Sequence, residues 1–439
     1  MRTWQGNQQG ITRNMSRQSH DIPLSKRKTM NSVKAFYSSW KDSCITSHGD
    51  YVEDESKFGT SKGILYQHQH SLPSLPLPTL EETLEKWYES VVPLAHSEEE
   101  LLDARDAIKE MLDDYSHLQL LLEKRQSSNR NWLQEWWNTL VYLQPRDPVV
   151  INVSYFFALP THRKVEPAMV SKLLQSIWSF REKVINESLE PMLIKGKPLC
   201  NIAYRYMFHS CRIPKKQQDE YQIYDPSINS HVVLAIDGQF YSITLGNDTH
   251  SIDSLEKCIQ ECMEMHQKQS QQSLLDLGYF TTMNRDDWAE ARVELVKEAG
   301  NGLEILQSAA LILCLEHDPS TVTATERAKN YLYGHNNRWF DKSMQLVLNT
   351  YNGQMGFIGE HSMADGMPAV TFCHHIQQIH PNNNNSLAGG HTNQQNLQVQ
   401  PVFTQEMYQS ISNNTKLMNY LSKGTHSNYE FLKKMTFLI

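Results

Sequence analysis

The stretch from Asn336 to Val370 reads NNRWFDKSMQLVLNTYNGQMGFIGEHSMADGMPAV and contains the pattern that decides the fold. Two apolar segments, Ser343 to Leu348 and Gln354 to Ile358, flank the polar run NTYNG, and Asn-Gly is a strong signal for the turn of a β-hairpin. The stretch therefore predicts two antiparallel strands, the second of which ends at Glu360 and His361. Strand ends that open into a loop are common positions for active-site groups.

Directly after this hairpin, His361 and Asp365 stand four residues apart in HSMADG. A helical turn would place both side chains on one face, and an imidazole held by a carboxylate can act as a general base near neutral pH. The same spacing also fits a surface histidine followed by an aspartate at a helix start, and spacing alone favours that second interpretation. Pro368 suits the first turn of a helix, which we predict to run to Ile379.

Elsewhere the pattern indicates alternating strands and helices. His231 to Ala235 and Gln239 to Ile243 flank Ile236-Asp237-Gly238 and predict a second hairpin. Further predicted elements are a helix over residues 166–190 and a strand over Ala309 to Leu315. The sequence therefore predicts an α/β fold, with a mixed β-sheet and flanking helices.

Composition restricts the class of protein. At 439 residues the chain is long enough for two or three domains, and 39% hydrophobic content allows a sizeable core. The net charge of -8 gives no overall basic balance for nucleic acid. The seven cysteines are scattered, with no CxxC pair, and an odd number without a disulfide framework suggests a reducing compartment. No apolar run approaches the length of a transmembrane helix, so no transmembrane segment is predicted.

The composition also suggests how the chain is divided. Residues 1–41 are basic and serine-containing with the single acid Asp21, which is typical of a mitochondrial transit peptide, although a disordered tail is the alternative. The run SLPSLPLP must be extended, and Thr79 and Ser97 are predicted to cap the two helices after it. The predicted segments are a disordered or transit segment over 1–70, a Pro/Leu arm with helices over 71–130, a domain bearing His361 over 131–380, an Asn/Gln-rich linker over 381–400, and the start of a second domain over 401–439.

Several motifs resemble one family. HSMADG fits the HxxxDG signature of CoA-dependent acyltransferases, and NRWFDKSMQLVL with GFIGEHSMADG resembles the carnitine/choline acyltransferase family. Trp132 to Ile151 fits WLxEWW and YLxxRxPVVI and is most similar to the carnitine O-acetyltransferase branch. GKPLC, ending at Cys200, and SCRIP, ending at Pro214, match further signatures of the family. The run from Leu277 to Arg292 is similar to a family segment in which a strand precedes a WAxAR helix, so we expect a strand over Leu277 to Thr282 and a helix from Arg285.

The resemblance implies an enzyme, a CoA-dependent O-acyltransferase with a chloramphenicol acetyltransferase-like fold. It would transfer an acetyl or short acyl group between CoA and carnitine, with His361 as general base and Tyr142 near the acceptor. Asp365 would orient the loop through an arginine salt bridge, and Glu360 would shape the site. CoA is then a co-substrate, no cofactor is tightly bound, and the reaction belongs to fatty acid and lipid metabolism. The implied location is the mitochondrion, with the peroxisome and the cytoplasm as alternatives.

Two further expectations follow from the resemblance. The family has two similar domains with a tunnel between them, and its CoA-binding motifs do not occur in this sequence, so we expect one complete domain plus part of a second. One alternative to carnitine acylation is therefore a catalytically silent binding or regulatory half-enzyme. Another alternative is choline acetylation. His209 and Cys211 are interpreted as packing residues because the family forms no acyl-enzyme. The adjacent Cys373, His374 and His375 would point in different directions on a helix, so no metal site is predicted.

Overall fold

The structure is a computed structural model that describes residues 63–160, 167–246, 250–269, 275–319, 323–334, 336–378 and 397–436. The predicted transit peptide and most of the predicted Asn/Gln-rich linker lie outside the described residues. Two compact units are present: of the described residues, unit 1 contains 74–132, and unit 2 contains 63–73 and 133–436.

Unit 1 consists of an extended arm and helices α1 Leu80–Val91, α2 Glu98–Tyr115 and α3 His117–Ser128. The Thr79 hydroxyl accepts a hydrogen bond from Glu82 N, and the Glu82 side chain accepts one from Thr79 N, which forms a capping box. At the start of α2 the Ser97 hydroxyl accepts a hydrogen bond from Glu100 N. Both predicted helix starts are therefore confirmed, and the arm is tied to the unit by a bond from Leu75 N to Arg130 O at 2.7 Å.

Unit 2 is built on a mixed sheet with the spatial order β1-β10-β9-β8-β6-β7-β11. β8 lies parallel to β6 and to β9, and the other pairs in this sheet are antiparallel. Two short hairpins, β2/β3 and β4/β5, lie outside it. The strands are β1 Ser154–Leu159, β2 Leu193–Ile194, β3 Lys197–Pro198, β4 Ser210–Ile213, β5 Glu220–Ile223, β6 His231–Ile236, β7 Gln239–Thr244, β8 Ile312–Glu316, β9 Met344–Asn349, β10 Met355–Glu360 and β11 Gln398–Pro401.

Helices cover both faces of the sheet. In β9, Leu346 and Leu348 belong to one hydrophobic cluster and Val347 belongs to the other, as the alternation of side chains along a strand requires. The helices of unit 2 are α4 Gln134–Trp137, α5 Val149–Asn152, α6 Pro167–Ile185, α7 Ile252–Gln269, α8 Arg285–Glu298, α9 Gly302–Ser308, α10 Ala324–Lys329, α11 Gly366–Gln377, α12 Gln405–Asn413 and α13 Thr415–Thr436. The predicted α/β class with a mixed sheet and flanking helices is confirmed.

Both predicted hairpins are present. β9 and β10 pair with Met355 opposite Leu348, and β6 and β7 pair with Ile236 opposite Gln239. The strand predicted over Leu277 to Thr282 is wrong, because this segment forms 3-10 turns. The hydroxyls of Thr281 and Thr282 donate to the backbone carbonyls three residues earlier. These carbonyls therefore have local hydrogen-bond partners instead of partners in a neighbouring strand.

The division of the chain also differs from the predicted segments at both ends of unit 2. Leu65 and Tyr66 fall within the segment expected to be disordered, yet both are buried in the core, and Leu65 N donates to Glu187 O at 3.0 Å. Residues 401–439 were expected to begin a second domain. Instead β11 pairs with β7, and Phe403 and Leu417 are buried in a core cluster of the same unit.

Candidate active site

His361 follows the last residue of β10 and is half-buried. Tyr142 approaches it from a π-helical segment, Asn138–Leu143. The Tyr142 hydroxyl oxygen lies 3.3 Å from His361 Nδ1, and the two rings are stacked with centroids 5.8 Å apart. In the tautomer with a proton on Nδ1, His361 donates to the Tyr142 oxygen and keeps a lone pair on Nε2, which is the form a general base needs.

A second tyrosine packs against the imidazole from β1. The ring centroid of Tyr155 lies 4.9 Å from that of His361, and its hydroxyl donates to Ala364 O at 2.8 Å. Burial, followed by the nearby Asp365 carboxylate, raises the pKa of Tyr155, so its hydroxyl stays protonated and continues to donate. Tyr155 thus ties the loop after His361 to the edge strand of the sheet.

Two glycines on β10, Gly356 and Gly359, leave space for the aromatic rings of Tyr331 and Tyr155. A Cβ on Gly359 would lie 2.7 Å from two atoms of the Tyr155 ring, and one on Gly356 would lie 2.5 Å from the ring of Tyr331. Distances below 3.0 Å are not seen for real Cβ atoms in contact with other groups. The glycine at 359 is therefore what allows Tyr155 to lie against the strand next to His361.

Glu360 is buried directly beside His361, and both of its carboxylate oxygens have partners. Oε1 pairs with Arg212 Nη1 at 2.9 Å, and Oε2 accepts from the Ser362 hydroxyl. Arg212 in turn pairs with Asp219, where Nε and Oδ2 are 2.6 Å apart. A buried carboxylate needs such partners, because an unpaired charge in the interior is very costly.

Asp219 is the centre of this buried network. Arg285 Nε lies 2.7 Å from its Oδ2, and Arg146 Nη2 lies 2.9 Å from its Oδ1. Burial raises the pKa of Asp219, but Arg285, Arg212 and Arg146 together outweigh it and hold the pKa below its usual value. Asp219 is therefore ionised in the folded protein and fixes the orientation of three guanidinium groups.

Asp365 occupies the helix-start position that its spacing alone favoured, and not the position of a partner for His361. It is the N-cap of α11, is exposed, and accepts a hydrogen bond from Gly366 N at 2.8 Å. Among the described residues, no hydrogen bond joins Asp365 to His361 and no arginine pairs with Asp365. The buried arginine pair in this region belongs to Glu360 instead.

His209 and Cys211 are buried, as a packing role requires. Arg181 Nε donates to His209 Nε2 at 2.8 Å, and burial together with the Arg181 charge lowers the pKa of His209 to about 3. Burial raises the pKa of the Cys211 thiol to about 12, so it is not a thiolate near neutral pH. His209 also lines a cavity of about 280 Å³ together with Tyr66, Tyr204, Phe208 and Tyr224. Within the described part of the chain, no group of three or more His, Cys, Asp or Glu side chains is arranged to hold a metal ion.

Tyr142, Glu360 and His361 were expected from the sequence to lie at the site, whereas Tyr155 and Arg212 were not. Arg212 did carry a usable signal, because it stands between Cys211 and Ile213 on a buried strand. A charged side chain in such a place must have a charged partner. For Tyr155 we find no local signal, since its contact depends on the pairing of β1 with β10.

Comparison with known proteins identifies the family. A sequence model of the choline/carnitine O-acyltransferase family matches residues 75–434. The chain belongs to this family. The fold of this acyltransferase family member, with its mixed sheet and flanking helices, agrees with that assignment. No helix among the described residues is both long enough and apolar enough to cross a membrane.

Individual relatives are similar over much of the chain. The mitochondrial carnitine O-acetyltransferase of Saccharomyces cerevisiae is 31% identical over 386 residues, covering 82% of this chain and 57% of that protein. Human carnitine O-acetyltransferase is 28% identical over 334 residues, covering 70% and 52%. The muscle isoform of rat carnitine O-palmitoyltransferase 1 is 30% identical over 318 residues, covering 69% and 40%. This acyltransferase family member spans about half the length of the carnitine O-acetyltransferases that it matches.

Proposed function

We propose that this chain takes part in acyl transfer between CoA and carnitine, with His361 as the general base. The observation that carries the proposal is the 3.3 Å contact between Tyr142 Oη and His361 Nδ1, at a strand end inside the HSMADG motif. That contact orients the imidazole, and in the tautomer with the proton on Nδ1 it leaves the lone pair of Nε2 free. The fold and the family support the reaction class.

In the proposed step, Nε2 of His361 removes the proton from the carnitine hydroxyl. The hydroxyl oxygen then attacks the thioester carbonyl of acyl-CoA, a C–O bond forms and the C–S bond breaks. The proton passes from His361 to the sulfur that leaves, so CoA departs as a thiol. A positioned base of this kind contributes roughly 10²- to 10⁴-fold to the rate, and the rest must come from orienting both substrates and stabilising the oxyanion.

The neighbouring residues have supporting roles in this proposal. Tyr142 lies on the acceptor side and holds Nδ1, while Glu360 shapes the site through its buried pair with Arg212. Asp365 acts on the loop by capping α11. CoA is a co-substrate rather than a resident cofactor. We propose that the transferred group is acetyl or another short acyl group, because the yeast and human relatives described above are named acetyltransferases.

The test is a thiol-release assay on the purified chain with acetyl-CoA and carnitine, repeated with palmitoyl-CoA and with choline. Release with acetyl-CoA and carnitine that is lost in His361→Ala would support the proposal, and no release from the wild type would favour the catalytically silent half-enzyme. His374→Ala is the matched control, because His374 is an exposed histidine on α11. His361 is not the base if His361→Ala retains a tenth or more of the wild-type rate, since the base should contribute about 10²-fold or more.

We also propose a mitochondrial location. Residues 1–41 are basic and contain one acid, Asp21, and a relative that matches 82% of this chain is named mitochondrial. We expect a fluorescent protein fused after residue 41 to reach mitochondria. A fusion in which the basic residues of that segment are changed to glutamine is the control, and a diffuse signal from the unchanged fusion would contradict the proposal.

A further inference from the structure

Arg212 contacts both of the segments that meet at His361. Its side chain extends from β4 and is buried. Nη1 lies 2.9 Å from Oε1 of Glu360, the residue that directly precedes His361. Nη2 donates at 2.5 Å to the backbone oxygen of Tyr142, whose hydroxyl lies against the His361 ring. One planar group therefore spans the strand end and the π-helical segment.

The orientation of that group is fixed from behind. Nε of Arg212 pairs with Asp219, which is itself held by Arg146 and Arg285. Burial lowers the pKa of Arg212, but Glu360 and Asp219 outweigh it and raise the pKa overall, so the charge is permanent. A guanidinium has a rigid arrangement of donors, which suits simultaneous contact with three acceptors.

We propose that Arg212 is a positioning residue that sets the contact between Tyr142 and His361 by holding the segments that carry them. This inference rests on the proposed function for its catalytic meaning. A misplacement of about 1 Å in a reacting group can lower the rate by as much as 10²-fold, so replacing a residue that fixes this geometry should lower kcat. A lysine at this position keeps the charge but cannot make all three contacts.

A purely structural role for the ion pair makes a different prediction. If Arg212 served only to stabilise the interior, its loss would lower stability without altering the surroundings of the His361 ring. Arg285 offers a matched comparison. It is equally buried and also pairs with Asp219, but its other partner is Asp341, and it contacts neither Tyr142 nor Glu360. Arg285→Lys should therefore weaken the network without moving the two segments.

The experiment uses NMR of the full chain with isotope-labelled histidine, and His361→Ala identifies the His361 ring signals. In Arg212→Lys we expect the ¹⁵N shifts of Nδ1 and Nε2 to change towards the other tautomer, and the cross-relaxation between the His361 and Tyr142 rings to fall about twofold or more. Arg285→Lys should leave both unchanged. If thiol release is measurable, Arg212→Lys should lower kcat about tenfold with a smaller change in KM.

Glu360→Gln serves as a second variant in case Arg212→Lys fails to fold. It keeps the shape of the side chain, weakens one of the three contacts by removing the carboxylate charge, and should change the His361 signals in the same direction by less. The proposal is overturned if both variants lose stability yet leave the His361 ring signals as in the wild type. Because the NMR readout needs no turnover, an inactive wild type would count against the proposed function and not against this positioning role.

Discussion

Gly359 is the residue on which the space beside His361 depends most directly, because the Tyr155 ring occupies the position of a side chain there. Gly359→Ala should displace that ring, destabilise unit 2 by about 1–3 kcal/mol through overpacking, and disturb the Tyr155–His361 contact. Urea unfolding gives the stability change, and the His361 ring signals give the local effect. Gly366→Ala is the control, since nothing lies within 4 Å of a Cβ at that position. Equal effects of the two substitutions would contradict the prediction.

Lys342 is a second residue whose burial should have a measurable effect, because its ammonium group lies in the interior and donates a hydrogen bond to Gln307 O at 2.6 Å. Burial lowers the pKa of Lys342 to about 8. The unfolded chain therefore binds more protons than the folded one between about pH 8 and its ordinary pKa of about 10.4, so this residue adds stability as pH rises through that window.

We expect the stability difference between the wild type and Lys342→Met to shift in favour of the wild type from pH 7.5 to pH 10. The full change is roughly 3 kcal/mol, at about 1.4 kcal/mol for each pKa unit. Urea midpoints of both proteins at several pH values measure this change. The contributions of tyrosines and cysteines that titrate in the same range are common to both proteins and cancel in the difference. If the stability difference between the two proteins is independent of pH, the pKa of Lys342 is not lowered in the folded protein.

At the scale of elements, the sequence predicts local structure well where the signal is itself local. The Asn-Gly turn and the two apolar segments specify the β9/β10 hairpin, and the Thr79 and Ser97 caps specify the helix starts. Leu277 to Thr282 forms 3-10 turns instead of the expected strand, and it packs so closely against another segment that a Cβ on Gly278 would lie 2.3 and 2.4 Å from the backbone oxygens of Asn336 and Arg338. That constraint comes from a distant part of the chain, so no local pattern could show it.

The strand and helices after residue 397 give a prediction at this scale. Phe403 is buried, and its ring packs edge-on against Phe240 of β7, with centroids 6.3 Å apart. Phe403→Ala should cost about 3–5 kcal/mol and release β11 and the helices that follow it. Limited proteolysis with mass spectrometry should then show faster cleavage within residues 397–436. Ile228→Ala, at a side chain that is 79% exposed, is the control. Unchanged cleavage in Phe403→Ala would mean that this segment does not depend on that contact.

Across the whole molecule, the network around Asp219 joins residues that are distant in the sequence. Its arginines come from the segment before β1, from β4 and from α8, and none of the pairings has a signature in the local sequence. For this reason the resemblance indicated Tyr142, Glu360 and His361 one by one, but not the arginine that contacts the first two. The motif shows which side chains are present, whereas the site depends on contacts between strands and helices far apart.

Asp219→Asn should destabilise unit 2 by about 3–5 kcal/mol near neutral pH, because three arginines lose their shared partner. The folded pKa of Asp219 is lowered, so its contribution is fully present above the unfolded pKa of about 3.9 and is lost as pH falls through the folded value. The difference from the wild type should therefore shrink below about pH 4. Urea midpoints at pH 7, 5, 4 and 3 measure this trend.

Lys297→Gln is the control for that series, since it removes an exposed ion pair with Glu294. Exposed pairs contribute little to stability, and this variant should stay close to the wild type at every pH. A loss in Asp219→Asn no larger than in Lys297→Gln would show that the buried network does not stabilise the fold.

The pairing of β1 with β10 has a consequence for synthesis on the ribosome. β1 is the first strand of the sheet to emerge, and its partner follows only after β6, β7, β8 and β9 have been made. Until then its backbone and its aromatic side chains have no sheet edge to join, and exposed strands of this kind are prone to aggregation. We expect ribosome-bound chains that stop before β10 to be cleaved by protease at Ser154–Leu159, and chains arrested well beyond α11 to be protected there. The contacts around His361 are thus assembled late, because β1 cannot pair with β10 until β10 has been made.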